Sequence, residues 1–307
     1  MATLLELTQQ GDVGTISDES KLSQVKLMDP QQLYRLWERQ PWGAYAIDLE
    51  ADKRDWAERV TQGEKDQLAY NLSAFFIGEE RVATQFSGLV RAYADQAEEA
   101  FLTTQQVDEA RHAQFFNRFY AEVLERDGTF EDRLTRARED VNEAFIELFD
   151  GHLVQAQERL LADPSDLEAK VDFVVLYHMV IEGTLALTGQ FFMQSYLEQR
   201  GVMKGLLEGY TRISQDEHRH VAYGTWFLKE QCRDAGVRRR VQARLQELIP
   251  VATAVLVPPG VEDPYDYELL GYHSSETHGF AFTALSRRLK VIGVPLGGEI
   301  PEEAVPA

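Results

Sequence analysis

Cysteine is almost missing from this chain: Cys232 is the only one in 307 residues. That excludes an intramolecular disulfide framework and suits a reducing compartment. Basic residues are scarce relative to acidic ones, 31 against 51, leaving a net charge of −20. No Lys/Arg stripe offsets that charge locally, so a phosphate backbone is repelled and no nucleic-acid partner is expected. The opening stretch MATLLELTQQGDVGTISDES has no basic segment leading into an apolar core, so no signal peptide is expected. A long uninterrupted apolar run is also lacking. The most apolar stretch, 173–192, carries His178, Glu182 and Gln190, groups that do not readily face lipid, and it reads as a buried helix rather than a membrane span. A cytoplasmic protein with no stable membrane insertion is the expectation.

Proline is absent from 42–163 and again from 165–249, which removes the strongest helix breaker from the middle of the chain. Strand-like alternation is absent there too, and apolar residues recur at three and four. Five long helices are expected near 64–93, 95–126, 131–161, 165–199 and 202–234, with glycines near 63, 128, 151, 201 and 236 at their ends. Shorter helices fit 30–39, 53–60, 237–249 and 276–290. The whole reads as one all-α domain over 1–292, with an N-terminal arm at 1–29 and a loose C-terminal tail at 293–307.

Within these helices the pentapeptide Asp108-Glu109-Ala110-Arg111-His112 returns as Asp216-Glu217-His218-Arg219-His220, with four of five identities. In Glu-x-x-His the two side chains share one helix face, so a carboxylate and an imidazole can point at one ion. One such match is weak evidence, since Glu falls three residues before a His by chance. The repeat strengthens it, as do its apolar flanks, Phe115 and Phe116 in one copy and Val221, Tyr223 and Trp226 in the other. Charged groups so placed are rarely buried unless paired or ligating a metal.

Two further acids complete a pattern. Glu182 lies in a strongly apolar segment, and of Glu79 and Glu80 one can face the core. One Glu from each of two helices plus Glu-x-x-His from two others is the ferritin-like carboxylate set. Asp108 and Asp216 are placed to accept the free N–H of the ligating imidazole on the opposite helix, which would orient it. His178, one turn before Glu182, reads as a core histidine, and His152, His273 and His278 as ordinary.

Residues 60–235 resemble the ribonucleotide reductase small-subunit superfamily, a ferritin-like helical bundle, and within it the ligand-binding oxidases with a Mn/Fe centre. The position where reductase subunits carry a radical-storing tyrosine, one turn after the first ligand His, holds Phe116. Tyr177 stands five residues before Glu182, and Val82 three after Glu79, as in the oxidases; that match selects Glu79 over Glu80. The ending VPLGGEIPEEAVPA lacks the tyrosine and apolar anchor of a reductase tail. The resemblance implies manganese held by Glu79, Glu109 and His112, and iron by Glu182, Glu217 and His220, or two iron ions. It implies a homodimer, dioxygen as oxidant, a long-chain fatty acid in an apolar channel, and an ether cross-link between Tyr177 and Val82. Phe75, Phe76, Phe116 and Phe173 are candidate channel walls. The alternatives are a reductase radical-generating subunit, with Asp216 and Trp42 or Trp56 in a radical path, another di-iron oxygenase or desaturase, and a metal-storage bundle.

Overall fold

The structure is a computed structural model describing residues 7–8, 11–12 and 19–296. Residues 1–6, 9–10 and 13–18 of the N-terminal arm and 297–307 of the C-terminal tail lie outside the described residues. The chain folds into an all-α bundle of the ferritin-like kind. Its helices open with α1 (Pro30–Trp37), α2 (Glu50–Glu58), α3 (Gln62–Gln85) and α4 (Ser87–Arg91). They continue through α5 (Gln96–Glu122), α6 (Phe130–Ala137), α7 (Glu143–Ile146), α8 (Leu153–Ala162) and α9 (Leu167–Val174). The remainder are α10 (Leu187–Arg200), α11 (Lys204–Gln231), α12 (Ala235–Val255) and α13 (Ser274–Ile292). Two-residue strands form small antiparallel hairpins, β1–β2 (Leu7–Thr8, Gly11–Asp12) and β3–β4 (Glu268–Leu269, Tyr272–His273).

The helix starts follow local chemistry. Thr61 and Glu64 close a capping box on α3, and the Asp95 carboxylate accepts from the Glu98 N–H at the start of α5, satisfying N–H groups that have no partner within the helix. Helix α10 ends at Gly201, whose φ of 59° is the left-handed stop that glycine favours. Met203, preceding α11, supplies no side-chain cap. Helix α2 does so instead: the buried Asp52 carboxylate accepts from the N–H groups of Gly205 at 2.9 Å and Leu206 at 2.7 Å. That bond fixes where α11, the carrier of the second repeat, begins.

The helix expected over 131–161 is broken, because Asn142 turns extended to cap α7 and donates to the carbonyls of Ala254 and Val257. The helix expected to stop at 249 runs through Pro250 to Val255; proline forfeits one backbone bond, and burial of Leu248, Ala252 and Val255 carries the helix past it. The segment expected as one helix over 165–199 is continuous but changes pitch, with a π-helical stretch at Val175–Ala186 between α9 and α10. There the Leu187 N–H reaches back to the Glu182 carbonyl. A Cβ on Gly183 would stand 2.6 Å from the His178 carbonyl oxygen, so the wide turn requires glycine at that point.

Leu167–Arg200 is the one described helical segment long and apolar enough to cross a membrane, and 94% of its most apolar window is buried. It is the central helix of the bundle. Helix α3 packs along α5, and the π-helical stretch packs along α11. A Cβ on Gly224 would lie 2.2 Å from that of His178, which shows how closely α11 approaches the stretch carrying Glu182.

Candidate metal centre

Four elements bring the six sequence-selected residues to one point. Glu79 comes from α3, Glu109 and His112 from α5, Glu182 from the π-helical stretch, and Glu217 and His220 from α11. All six are buried. Their donor atoms form two overlapping groups, Glu79 with Glu109, His112 and Glu217, and Glu109 with Glu182, Glu217 and His220. Within each group the donor atoms lie within 4.8 Å of one another. Glu109 and Glu217 therefore belong to both groups. Glu80 turns away toward Arg81.

The residues fit a metal pair on two grounds. Glu182 and Glu217 each keep one buried carboxylate oxygen with no hydrogen-bond partner, a costly arrangement unless a cation takes it up. Four carboxylates with two neutral imidazoles also carry the charge that two divalent cations balance. Without cations the groups compensate one another. Burial drives Glu79 and Glu182 well above the usual carboxylate range. Burial would also strip His112 and His220, but the carboxylates of Glu79 and Glu182 hold their imidazoles well above the ordinary value.

Around this cluster lies a crossed set of supports. His112 Nε2 is 3.1 Å from Asp216 Oδ2, and His220 Nε2 is 3.3 Å from Asp108 Oδ2, so each aspartate holds the imidazole of the opposite helix. Trp42 Nε1 donates to Asp216 at 2.7 Å, and Trp37 Nε1 to Asp108 at 2.9 Å. Arg219 donates to both aspartates, with Arg111 at 3.0 Å from Asp108 and 3.5 Å from Asp216. Burial works against the Asp216 charge, yet His112, Arg219 and Trp42 together hold its carboxyl down to about 2. Sequence reading gave no role to Trp37 or to the two arginines. The arginines had left a signal, since Arg is among the four residues shared by both pentapeptides. Trp56 is not part of this set; its ring lies under Lys65.

Tyr177 is fully buried, and its hydroxyl donates to Glu109 Oε1 at 2.5 Å. Burial and the Glu109 charge raise the phenol well above its ordinary value, so it remains a proton donor. Its ring centroid is 5.0 Å from that of Phe86, which follows Val82 by one turn. Val82 lines a cavity with about 110 Å³ of water-accessible space, which also exposes Glu79, Glu109, Glu182 and Glu217. Its walls are apolar, built from Phe75, Phe145, Phe149, Ile181, Leu185 and Phe192 among others. Of the four phenylalanines selected from sequence only Phe75 is there; Phe76, Phe116 and Phe173 pack in the core. His178 is buried against Gln105, outside both donor groups.

Fold and site thus define a helical bundle built around a buried carboxylate–imidazole cluster able to hold two metal ions. A family model described as "Ribonucleotide reductase, small chain" matches residues 20–293, and the chain belongs to that family. Its fold is similar to that of an R2-like ligand-binding oxidase variant with an anaerobically reconstituted Mn/Fe cofactor. That match has 25% identity and a TM-score of 0.73 over 86% of this chain and 93% of the other. The R2-like ligand-binding oxidase from Sulfolobus acidocaldarius is similar at 25% identity and a TM-score of 0.72, over 86% and 89% of the two chains.

Proposed function

We propose that this protein is an oxygen-activating oxidase with a dinuclear Mn/Fe or di-iron centre, which binds a long-chain fatty-acid-like ligand and joins Tyr177 to Val82. The observation that carries the reading is the apolar cavity with four carboxylates at its inner end and Val82 in its wall. A cavity with mostly apolar walls and a few convergent polar groups suits an amphipathic ligand. The carboxylate head belongs at the cations and the apolar chain along Phe145, Phe149, Ile181 and Phe192.

Glu79, Glu109 and His112 would hold manganese, and Glu182, Glu217 and His220 iron, with Glu109 and Glu217 shared between them. When bound, the metal pair supplies dioxygen activation and the reducing equivalents that the protein side chains do not. The chain's own residues do the rest. Asp108 and Asp216 fix the orientation of His220 and His112, as partners of ligating imidazoles do. Glu109 accepts the Tyr177 hydroxyl and so holds its oxygen at the cluster. The apolar walls limit water and side reactions. An ether bond from Tyr177 Oη to Val82 Cβ removes one hydrogen from each residue, two electrons and two protons in all, with dioxygen as acceptor.

Mass spectrometry of peptides containing Tyr177 and Val82, after anaerobic loading with both metals and exposure to air, tests the cross-link. A fused peptide two hydrogens lighter than its parts is expected; separate, unmodified peptides at full metal occupancy would sink it. A second reading, a radical-generating reductase subunit, is favoured by the hydrogen-bonded chain Trp42–Asp216–His112. Nucleotide reduction in the presence of a catalytic partner subunit would support it, and Phe116 in the radical-tyrosine position speaks against it.

A further inference from the structure

The outer end of the cavity is covered by the β3–β4 hairpin, whose Leu269 and Leu270 stand in its wall. Leu269 pairs with Tyr272, leaving Leu270-Gly271 as a two-residue loop. Both loop residues have positive φ, 53° at Leu270 and 83° at Gly271. That is the type I′ geometry, which favours Asn-Gly, Asp-Gly or Gly-Gly. Leucine breaks the rule, because a Cβ in left-handed backbone crowds the following carbonyl oxygen. Residues kept in such conformations persist where their surroundings over-determine them, and they gather at ligand clamps and switch regions.

The surroundings here are specific. The Leu270 N–H donates to Gln67 Oε1 on α3 at 2.6 Å. On the other side, the Tyr272 ring meets Phe192 of α10 edge-on at 4.8 Å, and its hydroxyl accepts from Gln199 Nε2 at 2.7 Å. The hairpin is therefore tied to helices on both sides of the mouth. Leu270, half-buried, packs onto the core between them.

We propose that Leu270 is a specificity-determining residue at the cavity mouth, closing over the far end of a long apolar chain whose carboxylate lies at the metal cluster. The inference rests on the apolar-ligand reading above and adds the residue that selects chain length. The left-handed backbone is the cost of aiming a leucine inward at a position where a turn-forming residue would point no apolar group at the ligand.

Calorimetric binding of palmitate and octanoate to the full-length, metal-loaded, delipidated protein tests it, together with thermal melting of the same samples. Leu270→Asn creates the preferred Asn-Gly turn, so it is expected to melt at or above the wild-type temperature. It should bind palmitate about tenfold more weakly, a loss of part of one leucine's apolar contact, and octanoate unchanged. Leu270→Ala keeps the left-handed residue and loses the contact, so it should show the same palmitate loss without the gain in melting temperature. Palmitate binding equally tight in wild type and both variants would overturn the role of Leu270 while leaving the apolar-ligand reading intact. A fall in melting temperature for Leu270→Asn matching that of Leu270→Ala would overturn it too, since the leucine would then serve stability. A wild-type protein that binds neither acid would overturn the apolar-ligand reading and this inference with it.

Discussion

The two halves of the metal cluster have the same residues and different backbones. Glu79, Glu109 and His112 stand on ordinary α-helix, whereas Glu182 stands on a π-helical turn. Each half has a Trp–Asp–His line of support, drawn from Trp42 and Asp216 in one case and Trp37 and Asp108 in the other. Their outer environments diverge: Phe116 follows His112 by one turn, while Tyr177 precedes Glu182 and bonds Glu109. Discrimination between two metals can come from this difference in backbone. Identical ligand types give no preference, and raw affinity does not favour manganese over iron. The π-helical stretch that carries Glu182, of the kind often found at functional sites, makes the two positions geometrically unlike.

The sharpest way to break the comparison is through the carboxylates that both halves share. Glu109→Gln is expected to abolish binding of both ions, whereas Glu79→Gln should lose only the ion of its own half; metal analysis of the purified variants distinguishes the two outcomes. A second line of attack is the buried link between the halves. Lys170 of α9 bonds both oxygens of Glu98 on α5 at 2.9 Å, and Tyr223 of α11 donates to the same carboxylate at 2.6 Å. Lys170→Met leaves that carboxylate buried without its counter-charge, held only by neutral donors, which should cost about 3–5 kcal/mol in denaturant unfolding. Smaller still, Asp216→Asn should weaken metal binding at the His112 half by roughly 10–100-fold, with Asp108→Asn doing the same at the His220 half. Equal weakening of both ions by either variant, measured by competitive chelation, would contradict the crossed arrangement.

Much of this was legible in the chain itself. The proline-free intervals and the three-and-four spacing outlined the central helices, and the repeated pentapeptide with Glu79 and Glu182 picked out the residues that converge. The crossing of Asp108 and Asp216 followed from the need of a ligating imidazole for a partner. What was not legible depends on geometry without a compositional signal. A π-turn has the same residues as an α-turn, and only Gly183 hints at it. Which carboxylates belong to both groups, Glu109 and Glu217, depends on helix approach, which Gly224 permits. Trp37 lies 71 positions from Asp108, and Asp52 caps a helix more than 150 positions away, so neither contact has a local motif. The break at Asn142 reflects bonds to the distant carbonyls of Ala254 and Val257.

Crystals of the protein loaded anaerobically with manganese and iron together, measured at the absorption edge of each metal, locate the two ions. Two ions per chain sharing Glu109 and Glu217 are expected, with manganese at the Glu79–His112 half and iron at the Glu182–His220 half. One ion per chain, or two ions with both metals scrambled evenly over the halves, would contradict that assignment.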